Sequence, residues 1–389
     1  MTKDILRSKM DVAWSFVTKR LYHTETKLIY DYVSGKDGDK GFSHLPTPEE
    51  IKQNKPNVAG WQSGMEDCVL NGGSMLEAII ARYEMTKDEN LRGLASDLFD
   101  GLYTCATVSK DKGFLARGVT PVDGKAHYIN SSRDQYTHWL YMGVLFYRSP
   151  LATEEQKQKI REVLAAFAEK AERDVTPEND FALLREDGTP GIFCELYGDR
   201  MGSHESNRYP MFYMAAYMVT GNAHWLELYQ ACRDWALELA ERLTEESMNK
   251  NPYCYGFLQM QYSLRLLYDG EEDAAYKRRY YDLMCFVAKG AYRYIRTALT
   301  DVDQLDYNGE ILNWRMPVNI NFTNNVFRTC RNAGEAIVIG CLCPDFKFTE
   351  QQCEDIEKLL ASMRYEKANS YWPVPCCGAY WLYRLTQKK

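Results

Sequence analysis

No apolar run in the 389 residues is long enough to span a bilayer, so the chain offers no candidate transmembrane helix. The opening "MTKDILRSKMDVAWSF" also lacks the charged, apolar, small-residue order of a secretory leader. The expected location is therefore cytoplasmic, or periplasmic if a leader has been removed. Clusters of positive charge are absent. With 47 Lys and Arg against 54 Asp and Glu, the formal charge is −7, which argues against a sequence-blind grip on nucleic acid. A local basic pocket for a small acidic substrate remains open.

Several motifs are missing as well. There is no phosphate-loop signature, no GxGxxG after a strand and no G-x-S-x-G elbow, so neither nucleotide chemistry nor a serine hydrolase is indicated. The closest cysteine pairs, "CLC" at 341–343 and "CC" at 376–377, lack the two-residue separation and second pair of a zinc site. No metal and no cofactor is expected. The twelve cysteines mostly sit inside apolar helical patterns, as Cys105, Cys194, Cys232 and Cys285 do, and read as buried reduced thiols. Long β-branched alternation is missing, as is any Pro/Gly/Ser-rich linker.

What remains is helix of two kinds. In "ENLRGLASDLFDGLYTCATV" the residues Leu91, Leu94, Leu98 and Leu102 recur at three and four, the stripe of a helix that covers a core with one face. "EEQKQKIREVLAAFAEKAERDV" and "HWLELYQACRDWALELAERLTEE" repeat that design. Between them lie segments apolar nearly all round: "GGSMLEAIIARYEMT", "QYTHWLYMGVLFYR", "PMFYMAAYMVTG", "YGFLQMQYSLRLLYD", "NNVFRTCRNAGEAIVIGCL" and "CCGAYWLYRLT". Six such inner helices, each with an amphipathic partner including an opening one near residues 4–22, predict an all-α fold. The expected architecture is an (α/α)6 barrel occupying residues 1–389 as one domain, with an open solenoid as the alternative.

The stretches just before the inner helices are rich in Trp, Tyr, His, Arg, Asn and acids: "AGWQSGMEDC", "HYINSSRD", "GDRMGSHESNRY", "NKNPYCY", "NWRMPVNINFTN" and "NSYWPVP". Parallel inner helices bring all six to one rim, where a pocket is expected. In "SSRDQYTHW" the serines suit N-caps, and Asp134 suits the positive end of the helix dipole whether or not it has a catalytic role. His138 and Tyr141 follow at four and seven, on the face of Asp134. Arg133 adjoins it, and His127 and Tyr136 are close in sequence. Glu66 and Asp67 precede another inner helix, with Asp67 favoured as the functional acid because paired carboxylates serve glycosidic chemistry. His204, Glu205 and Arg208 fall on a third entering loop, and Arg117 between two glycines; each arginine is either a carboxylate binder or a loop anchor. Trp61, Tyr128, Trp314 and Trp372 read as sugar-stacking rings or as core lids.

The alternating helices, the acidic cluster after Trp61, the "RYEMTKDENL" link and "SSRDQY" heading the next inner helix together resemble the six-hairpin glycosidases, nearest the unsaturated glucuronyl and rhamnogalacturonyl hydrolases. The resemblance implies a hydrolase in which an Asp at an inner-helix start protonates the 4,5 double bond of an unsaturated uronic acid and activates water. Asp134 matches that position, and Asp67 the second acid one hairpin earlier. The chain departs from that pattern in surrounding Asp134 with His127, Arg133, Tyr136 and His138.

Three readings follow. The first is a glycoside hydrolase acting on an acidic oligosaccharide, with Asp134, Asp67 and His138 in the catalytic set; Trp61, Arg117, His127, Arg133, Tyr136, His204, Glu205 and Arg208 bind substrate. The second is a lyase or epimerase of the same fold, with His138, His204 or Tyr136 as base and Arg133 neutralising developing charge. The third is a non-catalytic carbohydrate-binding or scaffold toroid. Neither nucleic acid nor membrane is an expected partner, and the sequence leaves the oligomeric state open.

Overall fold

The structure, a computed structural model, describes residues 3–34, 41–307, 313–315 and 325–388. The chain opens with α1 (Lys3–Phe16), followed by a two-residue-strand hairpin of β1 (Tyr22–His23) and β2 (Leu28–Ile29). A short α2 (Pro48–Lys52) precedes α3 (Cys68–Thr86), α4 (Leu91–Thr107), α5 (Arg133–Arg148) and α6 (Glu154–Asp174). A second hairpin, β3 (Ala182–Leu184) and β4 (Pro190–Glu195), leads to α7 (Arg208–Thr220), α8 (Ala223–Ala240) and the short α9 (Glu245–Lys250). Then come α10 (Tyr255–Gly270), α11 (Ala274–Asp301), α12 (Asn325–Leu342), α13 (Glu350–Ser362) and α14 (Pro373–Thr386).

Helix α3 packs on α5, α5 on α7, α7 on α10, α10 on α12, α12 on α14, and α14 back on α3, which closes the inner ring. Outside it, α4 covers α3, α6 bridges α5 and α7, α8 covers α7, α11 bridges α10 and α12, and α1 with α13 completes the shell. The fold is all-α, an (α/α)6 barrel. Closure follows from the two helix types. In α6 the buried residues Ile160, Val163, Leu164, Phe167 and Ala171 form one stripe, whereas α7 buries nearly every residue from Pro210 to Ala216. A helix apolar on all sides needs neighbours on all sides, and only the inner ring supplies them.

Capping differs between most members of the two sets, although the outer helix α4 has no side-chain cap bond. Outer helices α6 and α13 begin with capping boxes at Thr153/Gln156 and Thr349/Gln352, and α8 and α11 are capped by Asn222 and Asp273. Inner helices α3, α5, α7, α10 and α14 have no side-chain cap bond. The serines before α5 and Ser206 before α7 therefore do not serve as the caps their types suggest; Ser206 donates instead to the Ala236 carbonyl at 2.7 Å. Of the paired glycines of α3, Gly72 serves close helix packing, whereas Gly73 leaves room for a Cβ in ordinary contact. A Cβ on Gly72 would lie 2.9 Å from Leu102 of α4, and one on Gly73 3.5 Å from His138 of α5.

The β3–β4 hairpin was not expected, since strands this short carry little alternation. It is tied to the barrel by Asp174, which accepts from the Leu184 amide at 3.0 Å and pairs with the buried Lys170 at 2.7 Å. Among the described residues all twelve cysteines are free thiols, and no helix is long and apolar enough to cross a membrane.

Candidate active site

Five of the six entrances converge, joined by the first two turns of α12. A cavity of about 630 Å³ is lined from α3's approach by Trp61, Gln62, Glu66 and Asp67, from α5 by Ser132, Arg133 and Asp134, and from α7's approach by His204, Glu205 and Arg208. The remaining wall comes from Asn251, Tyr253 and Tyr255, from Phe327, Arg328 and Arg331 of α12, and from Tyr371 before α14. Inner helices that present their first turns to one cavity run parallel, as an α/α barrel requires. The volume suits a sugar-sized ligand.

Asp134 stands in the first turn of α5, its oxygen 2.6 Å from Arg208 Nη1. Burial pushes its carboxyl up, but the guanidiniums of Arg208 and Arg133 outweigh burial and hold it below the usual carboxylate range. Arg208 itself is buried, and Arg133 is spanned between Glu205 at 2.7 Å and the Glu195 carbonyl at 3.1 Å. Glu205 is likewise held low: Arg133, Arg208 and His204 overcome its burial. Burial, opposed by Glu205, lowers the pKa of His204 and leaves its imidazole neutral at pH 7.

At the approach to α3 sits a cluster of three acids. Glu66 is pushed up to about 7 by burial and the adjacent Asp67 charge, against the pull of Arg117. Asp67 receives Gln135 Nε2 at 2.9 Å and the Tyr371 hydroxyl at 3.0 Å, with Arg117 Nη2 at 3.4 Å. Asp31, beyond β2, is the third acid. It accepts from the Glu66 amide at 2.7 Å, the Asp67 amide at 3.0 Å and Asn71 Nδ2 at 3.1 Å, fixing the turn that presents both neighbours. Burial and the charges of Asp67 and Glu66 push its own carboxyl well up.

The structure thus gathers Trp61, Asp67, Arg117, Arg133, Asp134, His204, Glu205 and Arg208 at one cavity, and sets His138, Tyr136 and His127 apart. His138 shares the face of Asp134 but lies one turn, about 6 Å, deeper. It is buried beside Ser74, its ring edge-on to Tyr262, and burial lowers its pKa to about 3. Tyr136, two positions from Asp134, points to the opposite face, where its hydroxyl bonds the Leu115 amide and Gly113 carbonyl among Phe167 and Phe212. His127 is held by the Lys125 carbonyl and faces Glu186. Tyr128 and Trp372 are buried core rings, and Trp314 and Arg315 anchor the 43–50 segment rather than the cavity. Residues 316–324 of the fifth entrance lie outside the described residues.

The arginines expected to grip substrate are occupied: Arg117 holds Glu66 and Asp67, Arg133 holds Glu205, and Arg208 holds Asp134. Sequence reasoning missed Asp31, Arg328, Arg331, Tyr253, Tyr255 and Tyr371, and passed over Glu66. Arg331 is partly buried, pairs with Glu335 at 2.7 Å and donates to the Tyr371 hydroxyl that in turn bonds Asp67. The available signal was Arg328, Arg331 and Glu335 at intervals of three and four within an otherwise apolar helix.

No protein-family profile and no curated protein matches the chain. Among solved structures it is similar to a Bacteroides ovatus protein described as GH9, at 12% identity and TM-score 0.42, over 93% of this chain and 68% of that one. It is also similar to a glycoside hydrolase family 76 (mannosidase) from Bacteroides thetaiotaomicron VPI-5482, at 12% identity and TM-score 0.37, over 81% of this chain and 92% of that one. At this level of likeness the fold assignment rests on the helix order and closure described above.

Proposed function

We propose that the chain is a glycoside hydrolase acting on a uronic-acid-bearing oligosaccharide, with Glu66 as general acid and Asp134 as the ionised partner. One observation carries the reading: a single cavity holds one carboxyl pushed up to about 7 and another held ionised by two arginines. Hydrolysis needs a proton for the leaving oxygen and a carboxylate that takes a proton from water or attacks the sugar, and environments that push two acids apart assign those roles. Asp134, expected from the sequence as both acid and base, takes only the second. Asp67, beside Glu66, keeps that proton in place by its charge.

The acidic substrate is argued from the arginines. Arg328 lines the cavity, and its hydrogen bond among the described residues goes to the neutral Asn325 at 2.9 Å, leaving its charge for a sugar carboxylate. Replacing Arg328 with alanine is expected to raise KM for a uronyl oligosaccharide about tenfold or more, with little change for its carboxyl-reduced counterpart; equal effects on both would remove Arg328 from carboxylate binding.

A second reading, a lyase or epimerase, is favoured by the neutral His204 imidazole in the cavity, although His138 and Tyr136, its other bases, lie elsewhere. One experiment separates the two. The enzyme is given 4,5-unsaturated and saturated uronyl oligosaccharides while ultraviolet absorbance and new reducing ends are followed. Loss of absorbance on the first set, or new reducing ends without absorbance on the second, supports hydrolysis; a gain on the second identifies a lyase. No change in either signal rejects the hydrolase.

A further inference from the structure

The strongest feature that the acid pair leaves unexplained is Phe193. It lies on β4, is 58% exposed, and has a backbone φ of +56°. A phenylalanine is poorly suited to that left-handed region, and residues held there persist only where their surroundings dictate the conformation. The surroundings do so here. The Asn130 side chain accepts from the Ile192 amide at 2.8 Å and donates to the Ile192 carbonyl at 3.3 Å. On the other side Cys194 is buried, and the Glu195 carbonyl takes the hydrogen bond from Arg133. The chain is clamped before and after Phe193, yet the ring is turned out to solvent, so burial of the ring does not account for the arrangement.

The ring instead meets Trp61. The two centroids are 5.7 Å apart at 41°, and both rings line the cavity that holds Glu66 and Asp134. An exposed phenylalanine set against a half-buried tryptophan, continuous with a polar, sugar-sized cavity, has the chemistry that receives the apolar C–H face of a pyranose. Elsewhere on the rim Tyr253 and Tyr255 are each 38% exposed, with centroids 6.0 Å apart.

We infer that Phe193 and Trp61 form a platform that stacks a second sugar ring of the substrate, outside the ring held between the acids. The inference rests on the reading of the cavity as a sugar site and makes the ligand an oligosaccharide of at least two units. Arg133 joins the two places, since it bonds the platform strand at Glu195 and flanks Asp134.

The test is calorimetric titration of the full chain carrying Asp134→Asn, to prevent turnover, with galacturonic acid, trigalacturonate, a 4,5-unsaturated uronyl trisaccharide and a neutral trisaccharide. Adding Phe193→Ala is expected to weaken whichever trisaccharide binds by about fivefold to tenfold, leave the monosaccharide within about twofold, and be reversed by Phe193→Trp. Phe193→Gly, which suits the backbone, is expected to keep or raise the melting temperature while losing the same affinity; a fall in melting temperature would mark Phe193 as structural. Unchanged trisaccharide affinity in Phe193→Ala, or no trisaccharide binding by the parent, overturns the platform. Binding that depends on Phe193 without turnover by the wild-type chain would retain the platform and reject the hydrolase.

Discussion

Asp134→Asn is expected to lower kcat by about a thousandfold, within the usual reach of a positioned acid or base, while the chain stays folded and still binds sugar. Asparagine keeps an oxygen for Arg208, so the buried guanidinium retains a hydrogen-bond acceptor at the place where Asp134 accepts at 2.6 Å. What is lost is the negative charge. The folded state should weaken by no more than about 1.5–3 kcal/mol, the range for a hydrogen bond to a charged group. A purely structural Asp134 predicts something else, namely activity that falls only in step with the folded fraction. Circular dichroism, calorimetric sugar binding and turnover on the same preparation separate the two, and normal turnover in the variant would remove Asp134 from the mechanism.

The pH profile and Glu66→Gln make the second large effect. Glu66 must carry its proton to act as acid, and its pKa is raised to about 7, so kcat/KM should be lost as pH rises through 7. Asp134 must be ionised, and its pKa is lowered, so the acid side of the profile should fall only below the usual carboxylate range. The expected curve is a broad bell with its alkaline limb near neutrality. Glu66→Gln removes the acid: activity on a natural glycoside falls about a hundredfold or more, and that alkaline limb disappears from what is left. A nitrophenyl glycoside, whose leaving group needs little protonation, should be spared most of the loss. An alkaline limb that persists in Glu66→Gln would assign it to another group, with His204 the next in the cavity.

The candidate site was legible where side chains cluster before the inner helices. Trp61, Asp67, Arg133, Asp134, His204, Glu205 and Arg208 were selected on that ground and Arg117 for its place between two glycines, and all reach the cavity. The failures follow from depth and direction. Four residues along a helix keep a side chain on one face but move it about 6 Å along the axis, which put His138 below the cavity; two residues turn it to the far side, which sent Tyr136 into the outer shell. Asp31 carried no signal because it follows a two-residue strand rather than preceding an inner helix, and its role depends on amides 35 and 36 residues away. Phe193 was invisible for a related reason: in "PGIFCE" nothing distinguishes an exposed phenylalanine from a buried one.

By itself the sequence determined the helical class, the alternation of all-round apolar with one-sided helices, and the crowding of polar chemistry at one end of the inner set. Periodicity and composition are local properties, and burial acts on them directly. Only the tertiary structure decided which carboxyls are pushed up, which are held down and which arginines are already spoken for. Those depend on charges brought together from distant segments: Asp31 with Glu66 and Asp67, and Arg208 with Asp134 across 74 residues. A carboxyl's pKa is set by the field and desolvation at its final position, which no spacing along the chain encodes.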